Sequence, residues 1–213
     1  MRARIVRSTA RAGALIVALV LSGCASMDKD ECLTVDWRTV GFEDGAAGYS
    51  GDRIARHRKA CAEHGVTPDL TLYQQGREEG LTEYCRPANA YRLGAQGSSY
   101  GGVCPAELEG EFLSAYGSGR QLHTLESRVA NATYQLESKR RELNRAEDDV
   151  IKKSALAIDH DATGEERAKA VVDLKQLAER IGRLKAEIRE LEVDRVQYER
   201  DLEDYRATAE HQH

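Results

Sequence analysis

From Leu122 to the C-terminus the apolar positions fall on two regular seams. Leu122, Leu125, Val129, Ala132, Leu136, Lys139, Leu143, Ala146 and Val150 follow alternating steps of three and four, and Ala170, Leu174, Leu177, Ile181, Leu184, Ile188, Leu191, Arg195, Tyr198, Leu202 and Tyr205 do the same. This is heptad spacing, which keeps one stripe of a helix apolar. Each seam has one basic interruption, Lys139 and Arg195. Between them lies DHDATGEE, in which Thr163 and Glu166 have the spacing of a capping box that starts a helix. Two seams joined by a short polar break predict an antiparallel helical hairpin over residues 120–208, with arms of about 60 Å at 1.5 Å per residue. Folding back at residues 160–163 would set Leu143 near Leu177 and Leu136 near Leu184. The tail, 209–213, is expected to be disordered, with His211 and His213 in solvent.

Upstream, the pattern changes. The chain before about residue 120 holds all three prolines, the single tryptophan and every cysteine. Asp69 is placed to N-cap a helix containing LYQQGREEGLTEYC, and Tyr73, Gly76, Gly80 and Tyr84 share one face of it. Each helical glycine costs about 1 kcal/mol relative to alanine. A glycine face between aromatics therefore predicts a close approach by another backbone. Related sets recur: Trp37 with Gly41, Gly45 and Gly48; Tyr91 with Gly94 and Gly97; Tyr116 with Gly117 and Gly119. Asp52 and Gly65, with Pro68 beyond, bracket another short helix. Residues 32–119 thus read as a small Gly/Tyr/Cys-rich helical domain of crossed helices.

The N-terminus adds an address. Arg2, Arg4, Arg7 and Arg11 precede an apolar run too short to span a membrane, and the run ends in Leu21-Ser22-Gly23-Cys24. That order resembles a bacterial lipoprotein signal, which implies cleavage after residue 23, lipidation of Cys24 and a short linker over 24–31. Ala25 and Ser26, in place of an aspartate, imply an outer-membrane destination facing the periplasm. Four of the 31 basic residues and none of the 36 acidic ones lie in this segment. The remainder is acidic, which argues against a nucleic-acid partner.

Four further cysteines, Cys32, Cys61, Cys85 and Cys104, would then face an oxidising compartment, where an even count suggests two disulfides. Of the three pairings, nearest-neighbour loops close most easily. Cys32–Cys61 and Cys85–Cys104 are expected.

Candidate chemistry is sparse. His57, Cys61 and His64 lie at i, i+4 and i+7, a spacing that can present metal ligands. An oxidised Cys61 cannot ligate as thiolate, so His57 and His64 are weak candidates and no metal or other cofactor is expected. Glu78, Glu79 and Glu83 cluster near Arg77, as charged helix surfaces often do, without a nucleophile-elbow, phosphate-loop or metalloprotease signature. No enzyme activity is expected. Trp37, Tyr73, Arg77, Tyr91 and Tyr100 are the residues that would bind a glycan such as peptidoglycan, if the aromatics stack on sugar rings instead of forming core.

Asp36-Trp37, Asp44-Gly45, Arg53, Cys61, Tyr73, GREEGL, Tyr84-Cys85, Gly94, Gly97, Tyr100, Cys104 and FLSAYGSGRQL together resemble the bacterial envelope family catalogued as domain of unknown function 2799, over roughly residues 32–122. The resemblance implies a cysteine-containing, usually lipid-anchored envelope protein and carries no reaction. The expected whole is mainly α: a disulfide-stapled helical domain, then a long antiparallel coiled-coil hairpin. The expected role is non-enzymatic, with the lipid on the membrane and the hairpin on an envelope protein partner; glycan binding by the Gly/Tyr domain is the alternative, and a metal-dependent or hydrolytic enzyme a third.

Overall fold

The computed structural model describes residues 27–210, so the signal segment, Cys24 and the terminal residues 211–213 lie outside the described residues. The described chain is helical, without strands: α1 (Lys29–Thr34), α2 (Trp37–Ala46), α3 (Arg53–Ala62), α4 (Leu70–Tyr84), α5 (Pro87–Ala95), α6 (Ala106–Ile158) and α7 (Gly164–Glu210). Carboxylates start α1, α2 and α4 by satisfying orphan amides: Asp28 caps Glu31, Asp36 caps Arg38, and Asp69 accepts from Thr71 and Leu72. The Thr163–Glu166 box starts α7 as expected. Asp52 does not cap α3. It has helical φ and ψ, and its carboxylate accepts the Ser50 hydroxyl instead.

The glycine sets pair off into two crossed helix pairs. In the first, α2 lies on α4, and a Cβ built on Gly41, Gly45, Gly76 or Gly80 would overlap a backbone carbonyl of the opposite helix: Tyr73, Arg77, Arg38 and Phe42 respectively. In the second, α5 lies on the start of α6, where a Cβ on Gly94 would overlap the carbonyl of Tyr116 and one on Gly119 that of Tyr91.

The second pair repeats the first in detail. Gly45 and Gly94 each sit three residues before a left-handed glycine, Gly48 or Gly97, both with φ +74°. The amide three residues beyond the last helical residue folds back in each, Tyr49 N to Asp44 O and Ser98 N to Leu93 O, both at 3.0 Å. The opposite helix covers each glycine with a ring, Tyr84 over Gly48 and His123 over Gly97. It also reaches the following carbonyl: Arg77 donates to Tyr49 O at 3.0 Å, and the Tyr116 hydroxyl donates to Ser98 O at 2.6 Å. The fully buried ring of each pair, Tyr73 or Phe112, stands seven residues before Gly80 or Gly119. Gly117 belongs to neither crossing, since a Cβ there meets nothing.

Each pair carries one disulfide from just before its first helix to the segment between its helices. Cys32 joins Cys61 and Cys85 joins Cys104, with Cα–Cα distances of 5.5 and 5.7 Å. The bridges lie in separate cores, one with Trp37, Ile54 and Tyr73, the other with Leu81, Tyr84, Ala90 and Phe112.

The expected boundary at residues 119/120 falls inside α6, which changes packing partner there without a break. With 53 and 47 residues, α6 and α7 run to about 80 and 70 Å by their helical rise. Leu125, Ala132, Leu136 and Ala146 are buried against Ala170, Leu184, Ile188 and Leu202, all expected seam positions. Lys139 keeps its place in the seam by bridging Glu187 at 2.8 Å; Lys153 bridges Asp173 near the turn, and Arg206 bridges Glu126 at the far end. The Glu142–Arg180 bridge and the Tyr205 bond to Ser118 lie within a few residues of the register that a Leu143–Leu177 pairing implies, and the turn falls at 159–163. Ala209 and Glu210, expected in the tail, continue α7.

Candidate functional site

The one buried charged side chain among the described core residues is Asp44, 6% exposed. It stands on α2 between Gly41 and Gly45, so the close approach of α4 that the glycines permit also encloses the carboxylate. Its Oδ2 lies 2.8 Å from His57 Nε2 on α3 and accepts the Tyr73 hydroxyl of α4 at 2.8 Å. Arg53 Nε, which is buried without a hydrogen-bond partner, stands 3.8 Å from Oδ1. The Trp37 ring meets His57 edge-on, with centroids 6.4 Å apart. A buried carboxylate needs partners of this kind, because an unpaired one would be very costly. Burial first, and then the bond to Asp44, push the Tyr73 phenol far above its ordinary value. Tyr73 is therefore a neutral donor and not a base at ordinary pH.

The arrangement ties α2, α3 and α4 through one carboxylate. Its His–Asp contact has the form of an acid–base pair, but the remaining neighbours are Tyr73, Trp37 and Arg53, none of them an activated nucleophile. The residues expected for metal do not converge. His57 turns to Asp44, Cys61 is bonded to Cys32, and His64 is exposed beyond the end of α3. No group of three or more metal-ligating side chains occurs among the described residues. Glu79 and Glu83 pair with Arg38 and Arg86 on the surface.

The expected glycan-binding set is likewise dispersed. Trp37 and Tyr73 are 8% and 1% exposed, and they form core because the glycines beside them draw α2 and α4 together. They are unavailable for stacking on a sugar. Tyr100 packs on Phe112 at 4.5 Å between centroids, donates to Glu109 and accepts from the Cys104 amide. Arg77 holds the Tyr49 carbonyl. Tyr91 alone lines an open groove, where α5 and α6 meet the returning end of α7 and its Tyr205. Tyr205 donates to Ser118 O at 2.7 Å, which fastens the end of α7 to the domain. Sequence reasoning missed both Asp44 as a hub and Tyr205 as a groove residue. The signal for Asp44 was an acid inside a glycine stripe; for Tyr205 there was none, since its neighbours lie more than eighty residues away.

Residues 36–121 match the family described as Protein of unknown function (DUF2799). The matched segment starts at the cap of α2 and ends within α6, so it holds both crossed pairs and the Asp44 cluster. It leaves out α1 with Cys32, and nearly all of the hairpin. No curated protein and no solved structure matches the chain.

Proposed function

We propose that the chain is a non-enzymatic, lipid-anchored protein of the bacterial outer membrane, whose family domain sits beside the bilayer and whose hairpin carries a protein-binding surface into the periplasm. The observation that supports this most directly is the unbroken α6, which leaves the domain as a rigid arm and returns as α7. The proposed anchor fits the same layout. Met27 packs against the first core, and three peptide steps from Cys24 span at most about 11 Å. Such a tether holds the domain close to the lipid.

Photo-crosslinking residues placed in cells at exposed hairpin positions such as Tyr134 and Val193 should capture a discrete envelope protein. Capture of none along the whole hairpin would reject the partner reading. Cys24→Ala should release the protein from membranes or leave its signal attached, and palmitate labelling that persists in this variant would reject the anchor.

The groove supports a second reading, glycan binding, because Tyr91 and Tyr205 line it together with Ser114, Ser118, Gln121 and Thr208. Rings beside hydroxyl and amide groups suit a sugar chain. Since α7 supplies part of this groove, complete deletion of the hairpin would remove both surfaces. A hairpin shortened by matched heptads keeps the groove and loses the arm. Retention of that variant by isolated peptidoglycan, lost on Tyr205→Ala, would favour the glycan reading.

A further inference from the structure

The groove between α5, α6 and the end of α7 has a volume of about 1250 Å³, and one stripe of α6 runs along it: Glu111, Ser114, Ser118 and Gln121 stand three or four residues apart. Two of its lining residues carry charge, and they differ. Arg206 is neutralised by Glu126 at 2.7 Å. Glu111 forms no ion pair among the described residues, and every other lining side chain is neutral. Its own helix brings no cation to it, since the positions three and four residues away are Glu107, Leu108, Ser114 and Ala115. The arginines of α5 and its cap are engaged elsewhere, Arg86 with Glu83 and Arg92 with Asn89 and Gln96. The groove therefore carries one unbalanced negative charge, at one end of the α6 stripe. Tyr91 and Tyr205 line it as well, and the face of an aromatic ring attracts cations. The Tyr205 hydroxyl is fixed on Ser118 O, and Ser118 stands seven residues from Glu111, about 10 Å by helical rise.

We propose that the groove selects a glycan bearing free, protonated amines, with an amine at Glu111 and sugar rings against Tyr91 and Tyr205. The proposal rests on the glycan reading of the groove and narrows it to an amino-sugar oligomer. A single ring is too short to reach from Glu111 to Tyr205, and an acetylated nitrogen brings no charge for Glu111 to pair with. An anionic chain is disfavoured, because Arg206 is already paired and Glu111 would repel it. Both attractions act at an exposed site, where a surface ion pair and a cation over an aromatic face each contribute up to about five-fold in affinity.

The test uses the full-length protein in detergent with both disulfides intact. Two probes are titrated calorimetrically at mildly acidic pH: tetra-N-acetylchitotetraose, and the glucosamine tetramer that lacks its acetyl groups. The amine form should bind about ten-fold more tightly. Glu111→Gln should remove that advantage and leave the affinity for the acetylated form unchanged. Glu190→Gln, which changes an exposed acid of the hairpin outside the groove, should keep it. Because the chain is acidic, a general attraction for polycations would be weakened equally by the two substitutions, and that result would overturn the proposal. Equal or tighter binding of the acetylated probe would overturn it too and leave the glycan reading standing, whereas binding of neither probe would reject both.

Discussion

In the first crossed pair α2 and α4 meet through Gly41, Gly45, Gly76 and Gly80; in the second, α5 and α6 meet through Gly94 and Gly119, with Ala90 and Ala115 at the places of Gly41 and Gly76. The polar interior differs along with these small residues. Where the first pair has Asp44 and Tyr73, the second has Leu93 and Phe112, so the carboxylate and the phenol that hydrogen-bonds it are both absent. Burying one polar group requires its partner, and the two are present or missing as a unit. The second core is instead aromatic: Phe112 lies 5.7 Å from Tyr84, 4.5 Å from Tyr100 and 6.2 Å from Tyr116 between centroids. One backbone path is thus stabilised by two chemistries.

The largest test of that comparison removes the staples. Replacing Cys32 and Cys61 together by Ala, or Cys85 and Cys104, should cost about 2–5 kcal/mol in either pair. The first closes a separation of 29 residues and the second 19. Loop entropy then makes the first loss greater by only about 0.4 kcal/mol. Denaturant titration of both variants measures the difference; a much larger gap would mean that one pair does not stand without the other. Alkylation of the native protein without reductant should label none of these four cysteines.

Next come the crossings themselves. Gly76→Leu and Gly80→Leu force a side chain into opposing backbone and should lose about 3 kcal/mol or more despite better helix propensity. Ala115→Gly, at the position in the second pair equivalent to Gly76, should lose no more than about 1 kcal/mol. A rise in melting temperature for either leucine variant would remove the close-packing account.

The Asp44 cluster separates the pairs chemically. Asp44→Leu strands the Tyr73 hydroxyl and His57 and should cost about 1–3 kcal/mol. Adding Tyr73→Phe recreates the Leu93–Phe112 combination and should recover part of that loss, which a double-mutant cycle would read as coupling. Absence of coupling would reduce the cluster to independent contacts.

The raised Tyr73 phenol gives this core a pH limit. Because its folded value lies above the ordinary 10.0, the contribution is complete below pH 10 and is lost as pH rises further. Stability measured across that alkaline range should fall less steeply in Tyr73→Phe than in the wild type. The smallest effect contrasts two glycines of one helix turn. Gly117→Ala, facing open space, should gain up to about 1 kcal/mol, whereas Gly119→Ala should destabilise by pressing on the Tyr91 carbonyl. Thermal melts of the two variants should move in opposite directions.

Features that depend on neighbours a few residues apart were legible in the chain before it folds. Heptad steps, the Thr163–Glu166 box and the Asp69 cap act within a turn or two of helix, so the hairpin and the starts of α4 and α7 were legible, and short loops made the cysteine pairing legible as well. The glycine faces were visible too, because the spacing of Tyr73, Gly76, Gly80 and Tyr84 is a local property of one helix. Which face each would meet was not, since α2 reaches α4 and α5 reaches α6 only through the folded chain. The same reason explains Trp37 and Tyr73, which read as ligand-binding aromatics yet are core. Only the crossing of α2 over α4 encloses them, and only that crossing surrounds Asp44 with donors from three helices. The continuity of α6 through residue 119 and the meeting of Tyr205 with Ser118 were likewise decided by tertiary packing, because a seam reports that a helix has a partner and says nothing of what lies beside its ends.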